Sequence, residues 1–330
     1  MKHAICAFLL LLSASGYSQI LPAFGASRSG TVGMQFLKIG PDARSNSLGG
    51  AAVSDVEDAS AFYWNPAGLV TQDSIRLKGQ FGHTNYFAGS SISSVGLVWQ
   101  TNSFRSFGIA VMNMQSEMMP VTTEFMPEGT GQEFGVNNVL VCLSYAQLLT
   151  DNFRFGVNLK YANEQILDVL AQSVLVDFGF QYHIGVRDIR FGVNMSNFGF
   201  NVQPNGEVKL TNLSGERTVD QFEEYAVPAT FRLGLSGALL DVEKHKIRLS
   251  AQLNHPTDNK ETLAFGLEYG FNELLYLRSA ALIGFGAPSP SFGFGLSPKR
   301  RFGSISLDYA YVMRGYIGAF QQLSIGFTWN

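Results

Sequence analysis

From residue 73 onward, apolar and polar residues alternate along this chain with a period of two. In the stretch NFRFGVNLKYA, residues 152–162, Val157 and Leu159 fall on one side of the pattern and Asn158 and Lys160 on the other. A β-strand places successive side chains on opposite faces, so alternation sustained over about 8–10 residues predicts a strand with one apolar face.

About fourteen segments show this pattern, and an even number of strands is typical of a single-chain outer-membrane barrel. The predicted strands cover residues 73–82, 90–100, 104–115, 135–148, 151–162, 171–183, 188–197, 229–240, 245–254, 261–270, 274–285, 291–296, 302–312 and 319–330. The sequence therefore predicts an all-β fold.

Alternation alone would also fit a soluble barrel, and the connections favour a membrane barrel. Those that follow even-numbered strands are all short, whereas two that follow odd-numbered strands, 116–135 and about 197–228, are long. Short turns at one end and longer loops at the other are typical of outer-membrane barrels. The last strand, LSIGFTWN, also carries apolar and aromatic residues on one face. We predict a transmembrane antiparallel β-barrel in the bacterial outer membrane, in contact with lipid.

The first eighteen residues, MKHAICAFLLLLSASGYS, have a basic start, an apolar run and small residues before Gln19. This pattern predicts a secretory signal peptide that is cleaved near Ser18. Its apolar run is too short to cross a bilayer as a helix. We therefore divide the chain into a signal peptide (1–18), an N-terminal segment with a plug (19–72) and the barrel (73–330).

One stretch, SLGGAAVSDVEDASAFYWNPAGLV at residues 47–70, does not alternate. A barrel of this size has a lumen that its own side chains cannot fill, so we predict that the segment from about Gly30 to Val70, which contains this stretch, is a plug inside it. Its small residues would allow close packing against the wall. Asn65 is suited to cap a helix that begins at Pro66. The plug motif comprises Asp42, Arg44, Gly49, Gly50, Asn65, Pro66 and Ala67.

The charged residues of the same segment have expected partners. Asp42, Arg44, Asp55, Glu57 and Asp58 all fall within it. The polar faces of the predicted strands carry charges of both signs, so we expect ion pairs between the plug and the lumen.

The stretch FLKIGPDARSNSLGGAAVSDVEDASAFYWNPAGL, residues 36–69, resembles the N-terminal signature of the PorV/PorQ family of Bacteroidetes outer-membrane proteins. It is similar, more distantly, to the plug of FadL-type long-chain fatty-acid channels, which share the triplet formed here by Asn65, Pro66 and Ala67. The PorV/PorQ resemblance implies an adaptor of type IX protein secretion. Its implied partners are the translocon, the C-terminal signal domain of a cargo protein and surface attachment proteins.

Two functions are therefore open. The resemblance favours the adaptor, and a channel for hydrophobic small molecules is the alternative. The long connection 116–135 is rich in methionine. Methionine adapts to varied apolar ligands and to varied protein partners alike, so this loop fits either function. The residues that we assign to this site are Met118, Met119, Phe125 and Met126.

Nothing in the sequence indicates an enzyme. The five histidines show no metal-binding spacing, and G-x-S-x-G and phosphate-binding glycine motifs are absent from the sequence. A formal net charge of −3 gives no indication of nucleic-acid binding. We expect no cofactor and no catalytic or metal-binding residues.

Overall fold

The computed structural model describes residues 30–72, 75–212, 215–284, 288–315 and 318–330. Fourteen strands form one closed antiparallel sheet, in which each strand pairs with the next and the last pairs with the first. The predicted signal peptide lies outside the described residues. No helix in the described part of the chain is long and apolar enough to cross a membrane.

The strands have the following bounds. They are β1 Leu77–Asn85, β2 Ser91–Asn102, β3 Arg105–Gln115, β4 Val136–Thr150, β5 Phe153–Ile166, β6 Val169–His183, β7 Arg190–Gly199, β8 Thr230–Val242, β9 His245–Pro256, β10 Thr262–Phe271, β11 Leu275–Ile283, β12 Ser289–Leu296, β13 Gly303–Arg314 and β14 Gly318–Trp329.

The strands predicted from alternation agree with these bounds, with one clear shift. β1 begins at Leu77 rather than at residue 73. Thr71 is buried, and its backbone oxygen accepts a hydrogen bond from the Gln100 side chain at 2.8 Å. The barrel closes where Leu77 of β1 pairs with Trp329 of β14.

The outer face of the sheet is apolar as the alternation predicted, and the inner face is polar on strands such as β5 but partly apolar on β2, β3 and β4. On β5, Leu159 is 51% exposed on the outer face, whereas Asn158 and Lys160 on the inner face are at most 2% exposed. Large apolar side chains cover the outside of the barrel on every side. A closed barrel with an apolar exterior pairs its backbone groups between strands and presents a surface suited to lipid.

The two ends of the barrel differ. At the turn end, where β1 begins and β14 ends, the connections are all short. At the loop end, residues 116–135 and 200–229 form the two long connections. The other loop-end connections, such as residues 86–90, are short, so the predicted asymmetry between the ends arises from two loops.

Both long loops contain small β pairings. In the first, Met119–Pro120 pairs with Glu133–Phe134. In the second, Val208–Asn212 pairs with Gly215–Val219. A further two-residue strand, Lys299–Arg300, lies in the connection before β13.

Residues 30–72 lie inside the barrel as a run of short helices and turns. Two are α-helices, α1 (Ala43–Ser47) and α2 (Ala61–Trp64), and two are 3₁₀ turns, Gln35–Lys38 and Pro66–Leu69. The Asp42 carboxylate caps α1 by accepting a hydrogen bond from the Ser45 amide at 2.8 Å. Gly49 and Gly50, with φ values of 68° and 84°, reverse the chain after this helix in a conformation that glycine adopts readily.

Candidate functional site

The Asn65-Pro66-Ala67 turn is fixed to the wall by the Asn65 side chain. Its Nδ2 group donates to the backbone oxygens of Val53 at 2.8 Å, Phe180 at 3.0 Å and Val193 at 3.3 Å. Its Oδ1 atom accepts from the Ala67 amide at 3.1 Å and thereby caps the 3₁₀ turn that begins at Pro66. One side chain therefore joins two parts of the segment to two barrel strands.

Glycines on the wall make room for this turn. A Cβ atom on Gly156 would lie 2.3 Å from the backbone carbon of Pro66, and one on Gly179 would lie 2.1 Å from Asn65 Oδ1. On the next strand, a Cβ atom on Gly192 would lie 2.3 Å from the Val53 backbone oxygen. The adjacent strands β5, β6 and β7 thus form a bare patch of wall. The segment reaches their backbone there because no side chain intervenes.

A continuous chain of ion pairs connects the segment to the wall near the turn end. Successive members have N–O separations of 4.0 Å or less, and Arg44, Asp55 and Glu57 are the members from the segment. The five cations and five anions alternate, so every internal member has two neighbours of opposite charge. In order they are Asp308, Arg278, Glu268, Arg44, Asp55, Arg248, Asp188, Arg190, Glu57 and Arg154.

The ion pairs of Glu57 shift its titration. Burial acts to raise its pKa, but Arg190 and Arg154, at 2.9 and 2.7 Å, hold the pKa of Glu57 well below its ordinary range. The ionised carboxylate is therefore favoured in the folded protein.

Neutral amide side chains fix the remaining backbone of the segment. Gln252 Oε1 accepts from the amides of Ala52 and Val53 at 3.1 and 2.9 Å. Gln322 donates to the Gly40 oxygen at 3.2 Å and accepts from Asn46 at 2.6 Å. These bonds satisfy backbone and amide groups that would otherwise be buried without partners.

Three cavities follow one another along the lumen. The loop-end cavity, of about 680 Å³, is formed mainly by apolar side chains, among them Met34, Phe36, Ile39, Phe87 and Met114. It also contains polar groups, of which Lys38 is paired with Asp258 at 2.8 Å.

Below it lies the central cavity, of about 210 Å³, which shares Ile39, Tyr86 and Arg314 with the loop-end cavity. Trp64 and Gly49 also line it. The turn-end cavity, of about 390 Å³, is polar and contains most of the ion-pair chain. An apolar chamber at the loop end thus leads towards a polar one at the turn end.

The predicted plug residues lie together in the lumen. Asp42 accepts a hydrogen bond from Trp64 Nε1 and so joins α1 to α2, while Arg44 contacts both Asp55 and Glu268 at 3.3 Å. Gly49 and Gly50 line the central cavity. Of the five charges expected to pair with the lumen, Asp42 and Asp58 form their hydrogen bonds within the segment instead, Asp42 with Ser45 and Trp64 and Asp58 with Ser60.

The predicted loop residues lie elsewhere. Met118, Met119, Phe125 and Met126 are between 37% and 60% exposed on the 116–135 loop. The apolar groups of the loop-end cavity come instead from residues 34–39, from the 86–90 connection and from Met114 of β3. The sequence contains a signal for the second group, because the aromatic pair Tyr86 and Phe87 is unusual in a short connection that would ordinarily be polar.

Residues able to hold a metal were not found together. Within the described ranges, no group of three or more histidine, cysteine, aspartate or glutamate side chains is arranged to hold a metal ion. The site therefore consists of apolar surface, hydrogen bonds and ion pairs.

No protein-family model and no curated protein matches this sequence. Solved structures do resemble the barrel. The Ralstonia pickettii toluene transporter TbuX has a TM-score of 0.60 at 13% identity, over 88% of this chain and 97% of that chain. The CymD monoaromatic hydrocarbon channel has a TM-score of 0.59 at 13% identity, over 88% and 97%.

A third similar structure is a Pseudomonas aeruginosa FadL homologue, with a TM-score of 0.56 at 12% identity, over 88% of this chain and 98% of that chain. At such low identity these likenesses establish the fold. Together with the closed sheet and its apolar exterior, they confirm the predicted fold class and location. The protein is a fourteen-stranded outer-membrane β-barrel with the same fold as these three proteins.

Proposed function

We propose that this protein is a channel for small apolar molecules across the outer membrane. The observation that carries the proposal is the loop-end cavity of about 680 Å³, whose surface is mostly apolar although polar side chains such as Glu164 and Arg314 also line it. Its volume falls within the range of roughly 300–1,000 Å³ that is usual for small-molecule sites. Long loops of outer-membrane barrels face the outside, so the cavity would receive solutes from there.

The fold supports this proposal. TbuX, a toluene transporter, and CymD, a monoaromatic hydrocarbon channel, have the same fold. In this chain, the apolar chamber adjoins the central cavity beside Trp64, and the two share lining residues such as Ile39 and Tyr86. An apolar solute would gain free energy by leaving water for such a surface.

Binding can be tested with Trp64 as the reporter. The chain has three tryptophans, and replacing the two lipid-facing ones (Trp99→Phe, Trp329→Phe) leaves Trp64 as the only tryptophan. Bromobenzene, an apolar heavy-atom quencher, should quench Trp64 fluorescence saturably in the purified protein. Quenching that rises linearly without saturation would contradict a binding site.

A matched pair of variants locates the ligand. Ile39 lines both the loop-end cavity and the central cavity, whereas Ile305 faces lipid and is 54% exposed. Ile39→Asn should raise the half-quenching concentration about tenfold, because a polar group replaces apolar cavity surface. Ile305→Asn makes the same change outside the lumen and should leave the quenching curve unchanged.

We further propose that residues 30–70 act as the plug of this channel. Their burial, the Asn65 contacts and the ion-pair chain support that role. Deleting them should leave a barrel that still inserts into a bilayer but conducts ions continuously. If the deletion variant conducts no more ions than the parent, another element closes the lumen.

The adaptor of type IX secretion is a second candidate. The resemblance of residues 36–69 to the PorV/PorQ signature supports it, as does the exposure of Met118, Met119 and Phe125 on the 116–135 loop. Apolar side chains clustered on a surface loop often mark a contact with another protein. Under this hypothesis the loop would bind the translocon, a cargo signal domain or a surface attachment protein.

One variant separates the two functions. Changing Met118, Met119 and Phe125 to Ser removes apolar surface from the loop and none from the cavity lining. If the protein is an adaptor, co-purification of its secretion partners from native membranes should be lost while bromobenzene still quenches Trp64. If it is only a channel, no secretion partner should co-purify with the parent or with the variant, and quenching should be unchanged.

A further inference from the structure

A thin layer of the N-terminal segment separates the central cavity from the turn-end cavity. Within α1, Asn46 lines the central cavity, whereas Arg44, two residues earlier, lines the turn-end cavity. The inference drawn here rests on the proposed channel function and concerns the route that a solute would take beyond the central cavity.

The wall shows the same division along β10. Its inward-facing residues run from Thr262 at the central cavity, past Ala264 and Gly266, to Glu268 at the turn-end cavity. The distance from Thr262 to Glu268 is about 20 Å along the strand. Only the two small residues between them face the layer.

The neighbouring strand β11 repeats this order. Leu282 lines the central cavity, Arg278 lines the turn-end cavity, and Ala280 lies between them. A Cβ atom on Gly49 would lie 3.2 Å from the Ala280 Cβ, and one on Gly266 would lie 3.1 Å from the Leu48 Cβ. The layer therefore meets β10 and β11 through close contacts between small groups.

On its opposite side, α1 is fixed to β14. The Ala43 amide donates to Ser324 Oγ at 2.7 Å, and Asn46 donates to Gln322 at 2.6 Å. The following part of the segment is fixed by Gln252, which bonds to Ala52 and Val53. Residues 44–50 thus have hydrogen-bonded attachments on either side of their contact with β10 and β11.

The charged contact across this boundary is between Arg44 and Glu268, at 3.3 Å. Each of these two residues has a second neighbour of opposite charge. Arg44 also contacts Asp55 at 3.3 Å, and Glu268 also contacts Arg278 at 2.6 Å. Separating Arg44 from Glu268 would therefore leave both charges paired. This makes the contact less costly to break than an isolated buried pair, whose separation would leave two uncompensated charges.

We propose that residues 44–50 form a gate, held closed by the Arg44–Glu268 ion pair, on an axial route from the central cavity to the turn-end cavity. Opening separates this stretch from β10 and β11 while its attachment to β14 and Gln252 persists. The rest of the segment, including the Asn65 turn, stays against the wall.

Ion conductance of the full mature chain in planar bilayers tests the gate. Arg44→Met keeps the length of the side chain and removes its charge, and it should raise the open fraction at least tenfold, equivalent to about 1.4 kcal/mol in the closed–open equilibrium. Arg44→Lys, which retains the charge, should restore most of the closure.

Arg190→Met is the matched control. Arg190 also contacts two carboxylates, Glu57 and Asp188, each at 2.9 Å, and it too binds the segment to the wall, but it lies away from the β10–β11 contact. Its open fraction should match that of the parent. Equal conductance of Arg190→Met and Arg44→Met would overturn the proposal, because it would indicate release of the whole segment.

A second readout covers variants that fold but conduct poorly. Leu48 is 2% exposed beside Gly266, so Leu48→Cys in a Cys142→Ala background should react slowly with a water-soluble thiol reagent. Adding Arg44→Met should accelerate the reaction at least tenfold, whereas adding Arg190→Met should not. Unchanged reactivity and unchanged conductance with Arg44→Met would refute the gate.

The proposed function fails separately from the gate. Saturable bromobenzene quenching, with conductance and thiol reactivity unaffected by Arg44→Met, would support the apolar site and refute the gate. Conductance that depends on Arg44, in a protein that binds no bromobenzene, would support the gate and contradict the proposed apolar channel.

Discussion

Gly179 on β6 leaves the space that the Asn65 side chain occupies: a Cβ atom at Gly179 would lie 2.1 Å from Asn65 Oδ1. We therefore expect Gly179→Ala to push the Asn65 turn off the wall and to reduce the free energy of unfolding by about 1–3 kcal/mol. Urea unfolding in detergent measures this. At Gly237, the nearest atom to an added Cβ is the side-chain Cγ1 of Ile189 at 3.3 Å, so Gly237→Ala should change stability by less than about 1 kcal/mol.

Two substitutions at Asn65 should separate its cap from its donor bonds. Asn65→Ala removes the cap on Ala67 and the three contacts to backbone oxygens, and should cost about 2–3 kcal/mol of unfolding free energy. Asn65→Asp keeps an acceptor for the Ala67 amide but turns a carboxylate oxygen towards the oxygens of Val53 and Phe180. It should therefore be less stable than Asn65→Ala at neutral pH. If it is the more stable of the two, the cap dominates.

An added charge should destabilise the barrel more on its lipid-facing surface than in its lumen. Phe178 on β6 is 40% exposed on the outer face, and Phe178→Arg should destabilise the barrel by about 2–4 kcal/mol near the bilayer midplane. Ser306 lines the polar turn-end cavity, so Ser306→Arg should have a much smaller effect. Equilibrium unfolding from lipid vesicles compares them. Equal losses would mean that the outer face does not contact lipid.

From the sequence alone, an arginine at the inner position Asn158 would also be expected to be mild, and the packing excludes this. Asn158 is fully buried and donates to the Phe62 oxygen and to Asp177, each at 2.7 Å. An arginine there would displace α2 and break both bonds. We expect Asn158→Arg to prevent normal assembly of the barrel. Loss of the difference in electrophoretic mobility between unheated and heated samples would measure this.

Stability should fall in acid partly through Glu57. Because Arg190 and Arg154 lower its pKa in the folded protein, its contribution is present above the unfolded pKa and is lost as the pH falls below about 4.5. Thermal unfolding of the parent should therefore decline more steeply below that pH than unfolding of Glu57→Gln. Glu128→Gln, a change at an exposed loop residue, should keep the parent's slope.

Alternation in the sequence determined the strands and their faces. The period of two at Phe178 and Asn158 assigns the first to the outside and the second to the lumen, because neighbouring side chains of a strand must point in opposite directions. The lack of alternation in residues 47–70 likewise marked them as something other than strand. These are local properties, and each depends on only a few consecutive residues.

Only the tertiary structure decided which residues meet. Arg44 contacts Glu268 across 224 positions of sequence, and Gly179 faces Asn65 across more than a hundred. The loop-end cavity joins Met34 and Phe36 of the segment to Met114 of β3. Such contacts depend on how far the segment enters the closed barrel and on the register of every strand around it. Because no short stretch of sequence encodes that depth or that register, the departure of this segment from the strand pattern could be predicted while the residues that it contacts could not.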